Sequence, residues 1–370
     1  MKNITLILFC LTSVIAKSQN NDSTHSGIPA QISFIYPLST NGINSKNISN
    51  YLSFNLFYGL NGGLNGLELG ALVNSNLSDV NGIQMAGLAN INTKSANGII
   101  LSGLVNIAND SSKAISLAGL SNLNNGNYLG IQAAGLTNTV KGDYIGIQTA
   151  GISNFNTGDY FGGQFAGITN TTLGNLTGMQ AGLINKAKKV NGLQVGLINI
   201  ADEFETGIPI GLFSFIKNGF HALDIEHNES VYGNLNLKLG VKHFYNIFKF
   251  GYMPKKGHEH ITYGYGVGSM VSITDNFKLS LDVTGNHIVA NPNVFKIDFL
   301  AKTDLNLRYH LTKNIGFFAG PSFNIYFSEN NEDNTTTLHV PHTIYKENWW
   351  NGDGKSYYWL SYNAGISVMF

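Results

Sequence analysis

His258-Glu259-His260 places two imidazoles on one face of an extended segment, a geometry that a transition metal could use. A third protein ligand at fixed spacing is absent, and 254–260 reads as a long loop between strands. His339 and His342 stand in another long loop, 329–355, with no evident partner. Glu332 and Asp333 offer oxygen to a hard cation, but their spacing does not follow a calcium loop. Gly264-x-Gly266-x-Gly268 lacks the strand-then-helix setting and final spacing of a dinucleotide fingerprint, so it reads as small residues within a strand. There is no Gly-x-Ser-x-Gly elbow and no phosphate-binding loop. No catalytic, cofactor-binding or metal-ligating residue is assigned, no cofactor is expected, and the chain reads as non-enzymatic.

The aromatic residues carry more information. Trp349, Trp350 and Trp359 are the three tryptophans, and Tyr345, Tyr357 and Tyr358 stand beside them. Such a cluster serves as an interfacial girdle at the rim of a membrane barrel, or as a stacking surface for a sugar or peptide.

Composition narrows the classes. The 370 residues hold 22 basic and 22 acidic side chains, and charged residues make up only 12%. Arg308 is the single arginine among 48 asparagines and 43 glycines. A nucleic-acid binder needs a basic face, and this chain has none to offer. With 43% hydrophobic residues it also escapes the disordered class.

Residues 1–18 read as a signal peptide. Lys2 opens it, Ile4 to Ile15 form its apolar stretch, and Ala16-Lys17-Ser18 makes a cleavage site before Gln19. A membrane anchor would need about 20 apolar residues, more than this run has. Cys10, the one cysteine, lies inside the stretch, with Phe9 before it instead of the small residue a lipoprotein signal wants. The mature chain is therefore expected to lack thiols. No later segment suits a membrane helix, so any spanning element must be a closed barrel.

A strict repeat fills the middle of the chain. Asn74, Asn90, Asn106, Asn122, Asn138, Asn154 and Asn170 recur every sixteen residues, followed by Asn185 and Asn199 at spacings of fifteen and fourteen. The best copies read GIQAAGLTN (130–138), GIQTAGISN (146–154) and GGQFAGITN (162–170). Each unit suggests a strand, a corner and a second short strand. On the rule that apolar residues go inside, Ile131, Ala133, Leu136 and Asn138 are expected inward. The glutamine series Gln84, Gln132, Gln148, Gln164, Gln180 and Gln194 would then form an outer row. Gly87, Gly103, Gly119, Gly135, Gly151 and Gly167 mark a corner that needs a positive φ or a close backbone approach. One repeat per coil gives a β-solenoid in which Asn stacks on Asn, each amide hydrogen-bonding along the ladder. An antiparallel meander is the competing arrangement, but it would invert alternate copies of an unvarying unit.

From about residue 220 the period becomes two. Phe299, Ala301, Leu305, Leu307 and Tyr309 face one way, and Asp298, Lys302, Asp304, Asn306, Arg308 and His310 the other. Eight strands are expected, at 220–226, 231–240, 243–253, 261–273, 277–286, 294–311, 314–328 and 356–370. Short turns at 274–276 and 312–314 alternate with long connections, and the chain ends in an alternating strand closing on Phe370, both habits of outer-membrane barrels. A soluble sandwich also alternates, but 294–311 is long for one. An even strand count places residue 220 at the same end as Phe370.

The expected fold is all-β, a β-solenoid of sixteen-residue repeats followed by an antiparallel, outer-membrane type β-barrel-like domain. The boundaries are 1–18 for the signal, 19–60 for N-terminal strands or a cap, 61–216 for the repeats and 217–370 for the barrel.

In GIQxAGL[ST]N, in 192–221 (GLQVGLINIADEFETGIPIGLFSFIKNGFH) and in 243–248 (HFYNIF), the chain resembles the bacterial surface-repeat proteins of leptospires and Bacteroidetes. The likeness spans roughly residues 50–330. It implies a surface or outer-envelope location, and it transfers no activity and no site residue.

The functional expectation is an exported, non-enzymatic outer-envelope protein with a structural or adhesive role. Its partners would be outer-membrane lipid and a glycan or cell-surface ligand. The alternative is a channel, with the repeats as plug or periplasmic extension, although an eight-stranded barrel fills its own lumen. An enzyme built on a solenoid would need clustered acids and bases, which residues 60–200 barely supply. If the second domain is a soluble sandwich, the protein is periplasmic or secreted.

Overall fold

The computed structural model describes residues 30–255, 258–289, 298–329, 338, 340, 343–349 and 354–370. The signal segment with Cys10, and Glu332, Asp333, His339, His342 and Trp350, lie outside the described residues. The protein is all-β, a solenoid of about ten turns followed by a closed eight-stranded antiparallel barrel. By compactness the chain divides into Met1–Lys188 and Lys189–Phe370.

Each coil of the first unit has a long arm, a corner, a short arm and a turn, as in Tyr128–Ala134 followed by Thr137–Val140. Successive coils pair in parallel at the repeat spacing, with Ile131 on Ile147, Gln132 on Gln148 and Asn138 on Asn154. Parallel neighbours exclude the meander, whose adjacent strands would run antiparallel. Strands Ala30–Ile35 and Ser49–Asn61 also pair in parallel, and the second feeds into Gly63–Gly70 and Val73–Asn76 to begin the stack.

Two glycine series divide the work that one was expected to do. At the corner, a methyl on Gly135 would stand 2.1 Å from the Gly119 carbonyl oxygen, so close approach is the reason for glycine there. Positive φ belongs instead to the long arm, as at Gly146 with φ 136°.

The direction of the side chains reverses the expectation. Gln132, Gln148, Gln164 and Gln180 are buried, whereas Ile131, Ile147 and Leu136 lie outside with 40–44% of their surface exposed. The expected outer glutamine row is therefore an inner one, and the expected apolar core is an outer surface. Tyr128, Tyr144 and Tyr160 also point inward and stack with ring centroids 5.3 and 4.9 Å apart.

In the second unit the barrel strands are Phe220–Asn228, Gly233–Val241, Phe244–Lys255, His258–Ser272, Phe277–Val289, Asp298–His310, Ile315–Glu329 and Gly354–Met369. Each pairs antiparallel with the next, and Gly354–Met369 closes onto Phe220–Asn228. Strand Tyr345–Trp349 adds a hairpin arm beside Gly354–Tyr358. Phe370 donates its backbone N–H to the His221 carbonyl, so both ends of the barrel sequence meet at the short-turn side, as an even count requires.

One expected long loop is not a loop. The strands around 254–260 continue until Lys255 faces His258, which puts the His-x-His segment in a strand. Gly264, Gly266 and Gly268 lie in the same strand, where a methyl on Gly268 would meet the Tyr245 ring at 2.3 Å. Small residues there make room for a large lumen-facing ring.

Candidate functional site: an inverted solenoid and a charged lumen

The interior of the solenoid is built from amides. Asn74, Asn90, Asn106, Asn122, Asn138, Asn154 and Asn170 each donate to the Oδ1 of the next asparagine at 2.8–3.0 Å, ending on Asn185. The second hydrogen of each Nδ2 goes to a main-chain carbonyl of the following coil, such as Thr149 O for Asn138 at 2.7 Å. In the second unit Asn199 donates likewise to the Ile210 carbonyl. The glutamine ladder runs the other way: Gln148, Gln164 and Gln180 donate to the preceding glutamine at 2.7–2.9 Å. Two amide ladders of opposite direction pair the amides they contain while their dipoles oppose one another, whereas the buried Oδ1 atoms of Asn76, Asn124 and Asn156, outside these two rows, lack a partner.

Glu68 occupies the glutamine position one coil before Gln84. Its carboxylate is fully buried and accepts from Asn61 at 2.6 Å, Asn76 at 2.7 Å, and Asn55 and Gln84 at 2.9 Å. Burial pushes its pKa above the ordinary glutamate range, against the lowering effect of those hydrogen bonds.

What the inside surrenders in apolar character the outside acquires. Along seven long arms, from Val80–Ala86 to Leu176–Ala181, the outward positions carry residues such as Ile83, Ile99, Ile115, Ile131, Ile147 and Phe165. Lys113 is the one charge among these outward positions. Leu88, Leu104, Leu120, Leu136, Ile152 and Ile168 add an exposed row at the corner. Between the two runs a shallow groove of about 720 Å³, lined by Met85, Leu101, Leu117 and Ala133. Exposed charges gather on the turn side, at Asp79, Lys94, Asp110, Lys141, Asp143 and Asp159.

The barrel shows the same inversion. Ile225, Phe250, Tyr263, Leu281, Leu305, Phe317 and Leu360 are exposed on its wall, while ionised side chains fill its interior. Asp224 meets Lys238 at 2.8 Å and Arg308 at 2.7 Å, and Asp282 meets Lys238 at 2.7 Å. Glu226 meets Lys249 at 2.8 Å and Lys302 at 2.9 Å, and Lys302 reaches Asp304 at 2.8 Å. Ser367 and Tyr245 donate at 2.5 Å to Asp224 and Asp282, so lone pairs left by the cations are also used. The guanidinium of Arg308 lies over Phe318, 4.5 Å from the ring centre.

Apolar layers bound this network on both sides. Phe220, Ala222, Tyr245, Ile247 and Met270 pack at the short-turn end, and Val231, Met253, Ile288, Leu300, Tyr326, Leu338 and Trp359 pack at the other. Outside the first layer, Lys242, Lys278, Lys313, His221 and His310 surround an open depression of about 490 Å³ at the short-turn mouth.

The nine asparagines named from the repeat are all buried, and seven successive links, from Asn74 to Asn185, join eight of them into one ladder. Trp359 is fully buried in the lumen, which corrects its assignment to a girdle or stacking face, because its strand parity points it inward. Trp349 ends the added arm, and Trp350 lies outside the described residues. His260 points inward beside the barrel core, and among the described residues no group of three His, Cys, Asp or Glu is placed to hold a metal ion.

Sequence reasoning missed the tyrosine stack and the ion network. Both had signals: Tyr128, Tyr144 and Tyr160 are sixteen apart, and every lumen charge has the parity of its strand's polar face. Comparison with family models, curated proteins and solved structures finds no match to this chain.

Proposed function

We propose that this protein is a non-enzymatic outer-envelope anchor, with a barrel embedded in the outer membrane and a solenoid serving a structural or adhesive role. The observation that carries this reading is the inversion of the barrel. Its wall exposes isoleucine, leucine and phenylalanine while lysine, arginine, aspartate and glutamate are buried, which suits a hydrocarbon solvent and wastes free energy in water. Closure supports it further, since each of the eight barrel strands has two neighbours. The signal-like composition of residues 1–18 and the likeness to surface-repeat proteins agree with export to the envelope.

A lumen that holds ion pairs between two apolar layers among the described residues favours an anchor over a conduit. An eight-stranded barrel is narrow enough for its own side chains to fill it. The adhesive role would be served by the repetitive outer face of the solenoid, since Trp359 is buried inside the barrel.

Outer-membrane fractionation with a carbonate wash, followed by gel migration with and without boiling, tests the proposal. Retention in the membrane with a heat-dependent band shift is expected. Release as a soluble species with no shift would overturn it.

A further inference from the structure

The short-turn mouth of the barrel has no part in anchoring, yet it gathers three lysines that the ion network does not use. Lys238, Lys249 and Lys302, inside the lumen, each meet a carboxylate at 2.7–2.9 Å. Among the described residues Lys242, Lys278 and Lys313 meet none. The cluster beneath them has no charge to spare, because Asp224 and Asp282 are matched by Lys238 and Arg308. Asp275 is the one acidic side chain lining the depression at this mouth. Even with the main-chain carboxylate of Phe370 counted beside it, three ammonium groups leave the mouth positive.

Parity and turns bring these lysines to one place. Lys278 faces Arg308 across the sheet and shares the inward parity of buried Ser280, so it leaves the wall on the lumen side. His310 follows Arg308 by two residues and does the same. Lys242 stands in the turn between Gly233–Val241 and Phe244–Lys255, and Lys313 in the turn at 312–314. The Thr312 hydroxyl oxygen accepts from the N–H groups of Asn314 and Ile315 at 3.2 and 3.0 Å, and that of Thr274 from Phe277 at 3.0 Å. Each turn is also tied to a neighbouring strand. The N–H of Met270 donates to the Lys242 carbonyl at 2.7 Å, that of His310 to Asn276 at 2.8 Å, and that of Met369 to Asn314 at 2.7 Å. A backbone fixed in this way loses little freedom when a ligand arrives.

The residue types select the ligand. Arginine grips a planar carboxylate through its fork, and the chain's one arginine is buried in the lumen. Lysine acts as a point charge, and several around a concavity suit an anion whose charge is spread over tetrahedral oxygens. The depression of about 490 Å³ is the size of a small-molecule pocket and exceeds what bare phosphate needs. His221, His310 and Phe370 offer ring surface to a body that carries the phosphate. The lining comes from turns around the lumen and not from the outer wall, so a headgroup beside the wall is wrongly placed for it. We propose that the short-turn mouth binds a soluble phosphate monoester of sugar size, its phosphate among Lys242, Lys278 and Lys313 and its body against the rings. The site stands on the closed barrel, whatever solvates the wall.

Isothermal titration of the full-length protein at low ionic strength tests this. Glucose 6-phosphate is the probe, glucose and glucuronate are the controls, and phosphatidic acid in mixed micelles is the lipid-borne arm. A cooperative thermal melt selects folded variants without reference to membrane behaviour. Saturable binding of glucose 6-phosphate is expected, weakened by added salt, with glucose silent and glucuronate weaker by roughly tenfold. Lys242→Gln, Lys278→Gln and Lys313→Gln should each weaken it about two- to five-fold, and any two together roughly tenfold. Lys278→Arg should keep most of the affinity, and Asp275→Asn should raise it, a gain that misfolding cannot imitate. Lys346→Gln, on the hairpin arm at the other end of the barrel, should change nothing. Absent binding, glucuronate bound as tightly, or an affinity untouched by all three glutamine variants overturns the proposal. So does binding confined to phosphatidic acid, which would assign the lysines to a lipid headgroup.

Discussion

Glu68 is the residue where the solenoid's chemistry is most exposed to perturbation. It places a carboxylate where later coils hold glutamine, and four amide donors converge on it. Its raised pKa means that the folded state binds its proton more tightly than the unfolded chain does. The stabilisation linked to that proton is fully present below the ordinary glutamate range, and it is lost as pH rises through the raised value. Glu68→Gln removes the linkage. Thermal melts of both proteins across pH should show the wild type losing midpoint relative to the variant as pH increases, and parallel curves would contradict the assignment. The lesson for sequence reading is equally local. The period of sixteen was visible in the asparagines, and the alternation of Ile131 with Gln132 was visible too. Which of the two faces inward was not, because the rule that apolar side chains go inside takes no account of buried amides that pair along a ladder.

At the scale of the element, the asparagine ladder couples coils that the sheet already joins. Asn138 donates to Asn154 and Thr149 and accepts from Asn122 at 2.8 Å. Alanine there leaves buried partners on both sides unsatisfied. The cost is about 2–4 kcal/mol, from the desolvation of one or two orphaned groups. Because a solenoid is stabilised by neighbours, the loss should spread. Amide hydrogen exchange of Asn138→Ala is expected to quicken in the flanking coils as well as in its own, and faster exchange confined to residues next to position 138 would argue that the coils open independently. The fold was readable here because invariance under a fixed shift admits only parallel stacking of like upon like. The tyrosine stack escaped notice because its position holds Leu64, Val80, Ala96 and Ser112 in earlier coils, so volume at that site is shared out over several residue types.

Across the whole second unit, closure depends on charges brought together from distant parts of the chain. Arg308 donates to Asp224 and Ser280, and Ser367 to the same Asp224, so one cluster ties the first barrel strand to the last. Arg308→Met would strand Asp224 and Asp282 with Lys238 as their nearby cation. Breaking a buried pair by removing one partner costs about 3–5 kcal/mol. The folded gel band of this variant should convert to the unfolded one at a lower temperature, and adding Asp224→Asn should recover part of the loss. An unchanged conversion temperature would show that the network is dispensable. Strand number and alternation were legible in the sequence for this unit, since period-two patterning over eight segments is a strong signal. The partners within the lumen were not, because pairing between residues 224, 282 and 308 is set by shear around the barrel and by nothing local.

The repeating coil has a metrical consequence. Adding or removing sixteen residues changes the stack by one strand spacing, about 4.8 Å, and leaves every amide with a neighbour of the same kind. Length along the stack is therefore a quantised variable, separate from the chemistry of the face. Glu68 interrupts the glutamine row near its start, and the fifteen-residue step from Asn170 to Asn185 interrupts the period near its finish. These departures work as graduations on a ruler, telling otherwise interchangeable coils where to begin counting and where to stop.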